Sequence, residues 1–549
     1  MDALRLLAER PIINTFIVAL ISFLAYFFTQ LYKARMLFIE RKRMGLPCAP
    51  NHNFFFGHLL YLKKRIDALP KNAHYQYMFA DIAHEHFQSE GLFYVDLWPA
   101  SGMMIIVTSA LVAAQVAQTN AKICYDRAFM LTRFFKPIAG GPNLFDMAEK
   151  EWRPWRNIFN KGFSTEQVTN LVPHVLRETE VYKERLRDLA RKKEMFYLDL
   201  VTLRFTMDVI GQTILNASLG AQTGYNVLAD SMLSQIRWHQ PNAEANPVGH
   251  LDVVRRLVEW WNGRQMDRYI GAELDKRFSE YKTDHRRQKS VIDLVLQAYI
   301  AQSGNQKPES LDAAFRAFAI RQIRLFVFTG HDSTSSTICY AFHLLSQNPD
   351  ALDRIRSEHD EILGKDISKA SDLLEKNPQL LNDLPYTTAV IKEVLRLFPP
   401  AASSRQGKPG ASLHDDHGTV CPTDGVIMIW TIHVELHRSP KYWKRPDEFV
   451  PERWLVGPTD ELFPVKDAWR AFEYGPRNCI AQGIVMTELK IILACIVREF
   501  DFKHAYDEWD RVHPSNGNKI HRGDRAYQME EAAAHPVEHY PCRVSVREI

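Results

Sequence analysis

From Pro11 to Tyr32 the chain reads PIINTFIVALISFLAYFFTQLY, with no charged residue. About 20 apolar residues suffice to span the hydrocarbon core of a bilayer, so this run predicts one transmembrane helix over 11–32, behind a short flank at 1–10. A cleaved signal peptide would carry an apolar core of roughly 7–15 residues ending in a small-residue cleavage site. Here the run ends in bulky aromatics, and Lys33, Arg35, Arg41, Lys42 and Arg43 follow. The reading is an uncleaved single-pass anchor, with the remaining chain cytosolic by the positive-inside bias. On the other side Arg5 and Arg10 are offset by Asp2 and Glu9. GLPCAPNHN (45–53) carries two prolines, which predict a stiff hinge closing a basic linker over 33–53.

The body expected over 54–549 shows long amphipathic segments near 168–195, 197–218, 251–283, 312–346 and 479–499. Short β-like runs interrupt them at 103–109 and 425–432. The fold class is mainly α with small β-sheets. Apolar residues make up 46% of the chain, enough for a large core, and a net charge of +3 gives no electrostatic case for nucleic acid. The seven cysteines are scattered and contain no CxxC pair, which excludes a disulfide framework or zinc ribbon. Six of them read as reduced, mostly buried thiols.

The exception is Cys479, in FEYGPRNCIAQG (472–483). The apolar residues behind it recur at helical spacing, which puts the sulfur at a helix N-terminus, where unpaired N–H groups favour a thiolate. Gly475–Pro476 turns the chain sharply, and Arg477 offers a permanent cation suited to a carboxylate. Such a sulfur is a metal ligand, a nucleophile or a buried structural cysteine. No base lies nearby in sequence to activate a nucleophile, and the loop alone does not choose among the rest.

Position by position, Phe472, Gly475, Arg477, Cys479 and Ala481 resemble the haem-binding signature of the cytochrome P450 superfamily. The four most fixed positions would meet by chance roughly once per thousand chains of this length. The resemblance implies the P450 fold behind an N-terminal transmembrane helix, and haem b with Cys479 as the axial thiolate of the iron. Such a thiolate pushes electron density onto the metal. Arg477 would pair with a propionate and Phe472 would keep water from the sulfur. Ala481 stands where glycine is commoner, and both are small enough to lie beside a flat ring.

Other segments fit the same family in its order. FTGHDSTSST (328–337) sets a glycine and small polar residues inside a strong helix pattern, a local conflict of the sort found at functional sites. It resembles the oxygen-activation groove: Gly330 would open the helix, Asp332 would relay protons and Ser333 would hydrogen-bond dioxygen. Serine replaces the usual threonine there, and Thr334 would share its task. Ala319, Ile323, Phe326, Gly330 and Thr337 form a stripe read as a substrate wall. The E-x-x-R pair Glu393–Arg396 arises by chance about once or twice in a chain this long. Together with LFPP and PDEFVPERW, it reads as a structural triad with Arg453. Trp152 and Arg156, four apart, resemble the family's propionate-binding helix start, and the same resemblance implies Arg405, after FPPAASS, as a further propionate partner.

HEHF (84–87) reads as an exposed helix rather than a metal motif, Asn216-Ala-Ser as an unused acceptor in a cytosolic body, and EWWNG (259–263) as core. The chain has no phosphate-cradling loop or dinucleotide fingerprint, so electrons must come from a separate partner. The resemblance implies a monooxygenase on the endoplasmic reticulum membrane. It would insert one atom of O2 into a hydrophobic organic substrate, using NADPH electrons from a flavoprotein reductase, with cytochrome b5 as an additional donor. TGHDSTSSTICY and GDRAYQ look most like fungal members of secondary metabolism. Rival readings are a haem-thiolate isomerase, lyase or dehydratase that uses no O2, and a non-catalytic haem sensor or carrier. Variable substrate lining is expected in 120–145, 225–262 and 525–535.

Overall fold

The computed structural model describes residues 11–118, 126–239, 252–283, 290–302 and 309–548. The flank at 1–10, Cys124 and parts of 120–145 and 225–262 lie outside them.

The first helix, α1 (Pro11–Arg43), carries the apolar run and continues through the basic residues behind it. Residues Asn14–Arg43 are long and apolar enough to cross a membrane. The helix then meets the body. Arg35 is fully buried and donates to the Asp96 carboxylate and to the carbonyls of Phe54, Phe55 and Trp98. The expected hinge is corrected in the same way. Ala49 N–H donates to Tyr94 O at 2.9 Å and Tyr94 N–H to Pro47 O at 2.8 Å, so GLPCAPNHN lies along a sheet edge. Proline suits that place, because an edge residue need not donate.

Next come α2 (Leu59–Ala68), α3 (Gln76–His86), β1 (Leu92–Asp96), β2 (Met103–Val107), α4 (Ala110–Ala117), α5 (Phe129–Ala139) and α6 (Glu149–Asn160). The helical mass continues with α7 (Thr165–Lys192), β3 (Phe196–Tyr197), α8 (Leu198–Leu215), α9 (Val227–Trp238), α10 (Val253–Thr283) and α11 (Val291–Gln302). Then follow α12 (Ala313–Gln347), α13 (Pro349–Leu363), α14 (Ala370–Lys376) and α15 (Pro385–Leu397). The remaining elements are β4 (Ser403–Arg405), β5 (Ser412–His414), β6 (Val420–Pro422), β7 (Val426–Thr431), α16 (His433–Leu436), α17 (Gln482–Ile496), β8 (Phe500–His504), α18 (Tyr506–Val512), β9 (Gln528–Glu531), β10 (Ala533–Pro536) and β11 (Pro541–Val546). Helix dominates and the sheets are small, as the periodicity predicts. The largest has strand order β1-β2-β7-β4, with β2 and β7 parallel and the outer pairs antiparallel.

Helix α12 belongs to two cores. Its apolar residues up to Phe328 pack with α5, α6 and α8–α11, and those from Ile338 onward pack with the sheet, α15 and α17. The polar stretch Thr329–Thr337 fills the seam between them. On α10, Met266, Ile270, Leu274 and Phe278 are buried, whereas Trp260 and Trp261 are exposed beside Val253, Val254 and Leu257. The tryptophans of EWWNG are therefore surface and not core, while Asn262 is buried and donates to Ser234 Oγ at 2.9 Å.

Three residues brace the approach to Cys479. The Glu393 carboxylate accepts from Arg396 Nη2 at 2.8 Å, Arg396 Nε at 3.0 Å and Arg453 Nε at 3.0 Å, and all three side chains are sealed from solvent. Trp454 Nε1 and Val450 N–H also donate to it, while Arg396 reaches the carbonyls of His437, Pro446 and Glu448. Burial opposes ionisation of Glu393, but Arg396 and Arg453 outweigh it and hold the carboxyl below its ordinary value of 4.5. Its contribution is therefore fully present above that pH and is lost as pH falls through the lower folded-state value. Glu393→Gln should lower the unfolding free energy by about 3–5 kcal/mol, read as a shifted urea midpoint. An unchanged midpoint at neutral pH would show the triad idle.

Candidate active site

The Cys479 loop is closed by main-chain bonds. Cys479 N–H donates to Phe472 O at 2.8 Å and Asn478 N–H to Gly475 O at 3.1 Å. Gly475 has φ +79°, and a Cβ there would sit 1.9 Å from Ala117 O at the end of α4, so only glycine fits. Phe472 is buried, with Trp469 edge-on to its ring at 6.0 Å. Ala481 precedes the first turn of α17. Burial pushes the Cys479 thiol up, although the Ala481 amide, Arg156 and the Gln482 amide pull it back in part. Yet the residue is exposed. A sulfur open to a probe but desolvated by surrounding protein faces an internal space and not bulk water.

Four guanidiniums gather on one side of that sulfur. Arg156 on α6 donates to Asn478 O and Oδ1, both at 2.9 Å, and interacts electrostatically with Cys479. Arg477 lies 4.2 Å over the Trp152 ring and donates to Met147 O at 2.6 Å. The expectation for Trp152 changes: it is buried and serves as the platform for Arg477. Arg405, fully buried on β4, donates to Ser404 O at 2.7 Å. The fourth, Arg127, is absent from the sequence reading. Its Nε is buried without a hydrogen-bond partner. Burial first, then Arg405, Arg477 and Arg156, pull it well below the usual arginine range, and Glu473 offsets them only in part. Among the described residues the cluster is built for a ligand with more than one negative charge.

The groove on α12 differs from the expectation in two respects. The helix runs unbroken through Gly330. Four of its hydroxyls donate to the carbonyl four residues back, Thr329 to Leu325, Ser333 to Thr329, Thr334 to Gly330 and Thr337 to Ser333, while Ser335 and Ser336 reach Asp199 and Ala534 O. Gly330 is bare to admit Ile210 of α8, whose Cδ1 would lie 2.2 Å from a Cβ there. The expected wall of Ala319, Ile323, Phe326, Gly330 and Thr337 faces other helices, with Phe326 ring-to-ring against Phe159 and Phe163. The opening is at Thr329 and Ser333, roughly 40–80° around the helix at 3.6 residues per turn. Thr329 is exposed and Ser333 partly open, while most of α12 from Ala319 to Leu345 is buried. Asp332 is buried, its Oδ2 accepting from Ala533 N–H at 2.8 Å and its Oδ1 3.1 Å from His535 Nε2.

Residues 49–529 match the family model described as Cytochrome P450. The chain belongs to the cytochrome P450 family. Cytochrome P450 monooxygenase polC of Polytolypa hystricis is 35% identical to this P450 over 527 residues, covering 95% of this chain and 93% of its own. Cytochrome P450 monooxygenase acrF of Aspergillus aculeatus is 31% identical over 503 residues, covering 87% and 99%. Human cytochrome P450 3A7 is 26% identical over 387 residues, covering 70% and 74%.

Membership makes this P450 a monooxygenase that carries haem b and takes NADPH-derived electrons through a reductase. Its own residues fit that cofactor: a soft sulfur on an internal space, a cationic cluster for two carboxylates, and a gap in the packing of α12. Sequence reasoning missed Arg127, Asp199 and His535. Arg127 sits in no motif, and the single hint at the tail is the spacing of His535 and His539 by four. Gly475→Ala is expected to abolish haem retention, measured as the ratio of Soret to protein absorbance. Retention at the wild-type ratio would show that the Ala117 contact does not set the loop.

Proposed function

We propose that this P450 is anchored by α1 in the endoplasmic reticulum membrane, body to the cytosol, and oxidises a hydrophobic organic intermediate of secondary metabolism. The observation that carries the reading is Cys479, open to an internal space beside an arginine cluster that calls for a dianionic cofactor. The high coverage of fungal relatives named as monooxygenases supports it. Bound haem supplies activation of dioxygen, one atom entering the substrate and the other leaving as water.

The chain's residues do the rest. Cys479 would hold the iron, Phe472 would shield the sulfur, and Arg127, Arg156, Arg405 and Arg477 would receive the propionate end. Of the two hydroxyls on α12, Thr334 is buried and committed to Gly330 O at 3.0 Å, whereas Ser333 is partly open with a longer bond of 3.3 Å to Thr329 O. Ser333 therefore carries the hydrogen-bonding role toward dioxygen, and Asp332 supplies protons. Thr329 and Ser333, rather than the buried stripe, border the substrate. For the reductase, Lys150 and Arg153 on α6, the latter paired with Glu149, and Lys161 just beyond its end are open to solvent on or beside the helix that grips the Cys479 loop, cations suited to an acidic partner.

The test compares metabolites of cells with and without the gene under 18O2. One labelled atom per product is expected, and a product made from a peroxide without NADPH or label would replace this reading with an isomerase or lyase. Cys479→Ser should remove the thiolate-type Soret band of the reduced, CO-bound protein. Asp332→Asn should slow product formation about 100-fold with haem content unchanged, and wild-type turnover in that variant would end the proton-supply role.

A further inference from the structure

His535, on β10, lies between two buried carboxylates. Its Nε2 is 3.1 Å from Asp332 Oδ1, and its Nδ1 is 3.0 Å from both oxygens of Asp199 on α8. A neutral imidazole has one N–H and can serve one carboxylate, while an imidazolium serves both. Asp199 is further held by Ser335 Oγ at 2.9 Å and by His539 Nδ1 at 3.2 Å, and His539 lies 3.4 Å from Glu531. Those last two residues are 28% and 22% exposed, whereas His535, Asp199 and Asp332 are at most 3% exposed. An unbroken file of titratable groups thus joins solvent to Asp332 on α12.

We infer that His535 is a positioning residue that stores the proton given to Asp332, and that Asp199, His539 and Glu531 connect this store to water. The inference rests on the monooxygenase reading. In the step, the His535 Nε2–H bond breaks and an O–H bond forms on Asp332 Oδ1. A neutral ring remains with its hydrogen on Nδ1 toward Asp199, and no electron moves. Loss of the ion pair frees the neutral Asp332 carboxyl to turn toward Ser333. One proton from water, entering at the His539–Glu531 end and carried on Asp199, restores the imidazolium once the ring has turned its bare Nε2 to that carboxylate.

The neighbouring charges agree. Burial opposes ionisation of His535, but Asp199 and Asp332 raise it well above the ordinary histidine value. Burial likewise opposes ionisation of Asp199, yet His535 and His539 hold it below the carboxylate range. Burial keeps His331, the other histidine facing this cluster, low and neutral, and Glu531 is raised by burial.

The full-length holoenzyme, labelled with 15N-histidine in lipid nanodiscs, tests the store directly. One imidazolium that keeps both N–H hydrogens at pH 8 is expected, and it should vanish in His535→Gln. A neutral His535 at pH 8 overturns the proposal. In turnover, His535→Gln should lower product formed per NADPH about tenfold or more, with peroxide released instead and an enlarged solvent deuterium effect. Wild-type coupling and isotope effect would reduce His535 to a structural clamp. Should the His535→Gln protein fail to fold, His539→Gln at the half-open end is expected to flatten the pH profile of product formation, and an unchanged profile overturns the connection to water. Absence of any O2-derived product from the wild-type enzyme is the separate failure of the parent reading, visible without these variants.

Discussion

A thiol surrounded by protein resists ionisation, and Cys479 sits where burial pushes it up. The two amides of the first turn of α17 and the Arg156 cation favour the thiolate but do not overcome that cost. The sulfur becomes an anion when a metal cation supplies what the protein withholds, so ligand and metal stabilise each other. The rest of the proximal architecture serves this arrangement. Gly475 threads the loop past Ala117, the Phe472 carbonyl accepts from the Cys479 amide, and the Glu393 triad ties α15 to the segments at His437, Pro446, Glu448 and Val450–Trp454.

On the other side the same logic runs through α12. A helix of 35 residues that enters two hydrophobic clusters is rigid at both ends, and its polar middle lies where the clusters part. Small polar residues there would ordinarily weaken a helix. Back-bonding to carbonyls four residues earlier satisfies them without opening the backbone, and the two cores hold the ends straight. Function follows from that packing. The seam leaves Thr329 and Ser333 uncovered on one face while Asp332, about 100° away per residue step, meets the C-terminal hairpin on another. On the proposed reading, Ser333 and Asp332 would act from neighbouring positions of one helix turn.

What the sequence disclosed follows the range of the interaction. The anchor, the helical class and the Cys479 loop are local signals, each written in fewer than about 25 residues, and each was legible. The Glu393–Arg396 pair was legible through its flanking prolines. The stripe on α12 was correctly periodic but assigned to the wrong neighbour, because periodicity finds a buried face and does not say what covers it. Trp260 and Trp261 failed for the complementary reason, since α10 buries only part of an apolar surface. The hinge reading failed because proline at a sheet edge and proline in a linker look alike in one dimension. Asp332 and His535 lie 203 positions apart, and Arg127 reaches Arg405 and Arg477 across the fold. No single-chain pattern carries contacts of that separation.

The three buried ionic groups differ in how they balance. Around Glu393, one carboxylate meets two guanidiniums; carbonyls of His437, Pro446 and Glu448 take the remaining N–H groups of Arg396, and Arg445 O accepts from Arg453 Nη2. Around His535, two carboxylates share one imidazolium and draw on His539 and the Ala533 amide for the remainder. In each, opposite charges meet within the protein. The arginines beside Cys479 are different in kind. Four guanidiniums converge there, Glu473 offsets them only in part, and like charges held together in a desolvated place repel strongly. A cluster of that composition persists because a polyanionic group normally completes it. In the P450 family that group is haem, whose two carboxylates would offset part of this positive charge and whose metal would take up the thiolate. Haem here is therefore part of the electrostatic design of the folded state, and its binding free energy adds to the stability of the body.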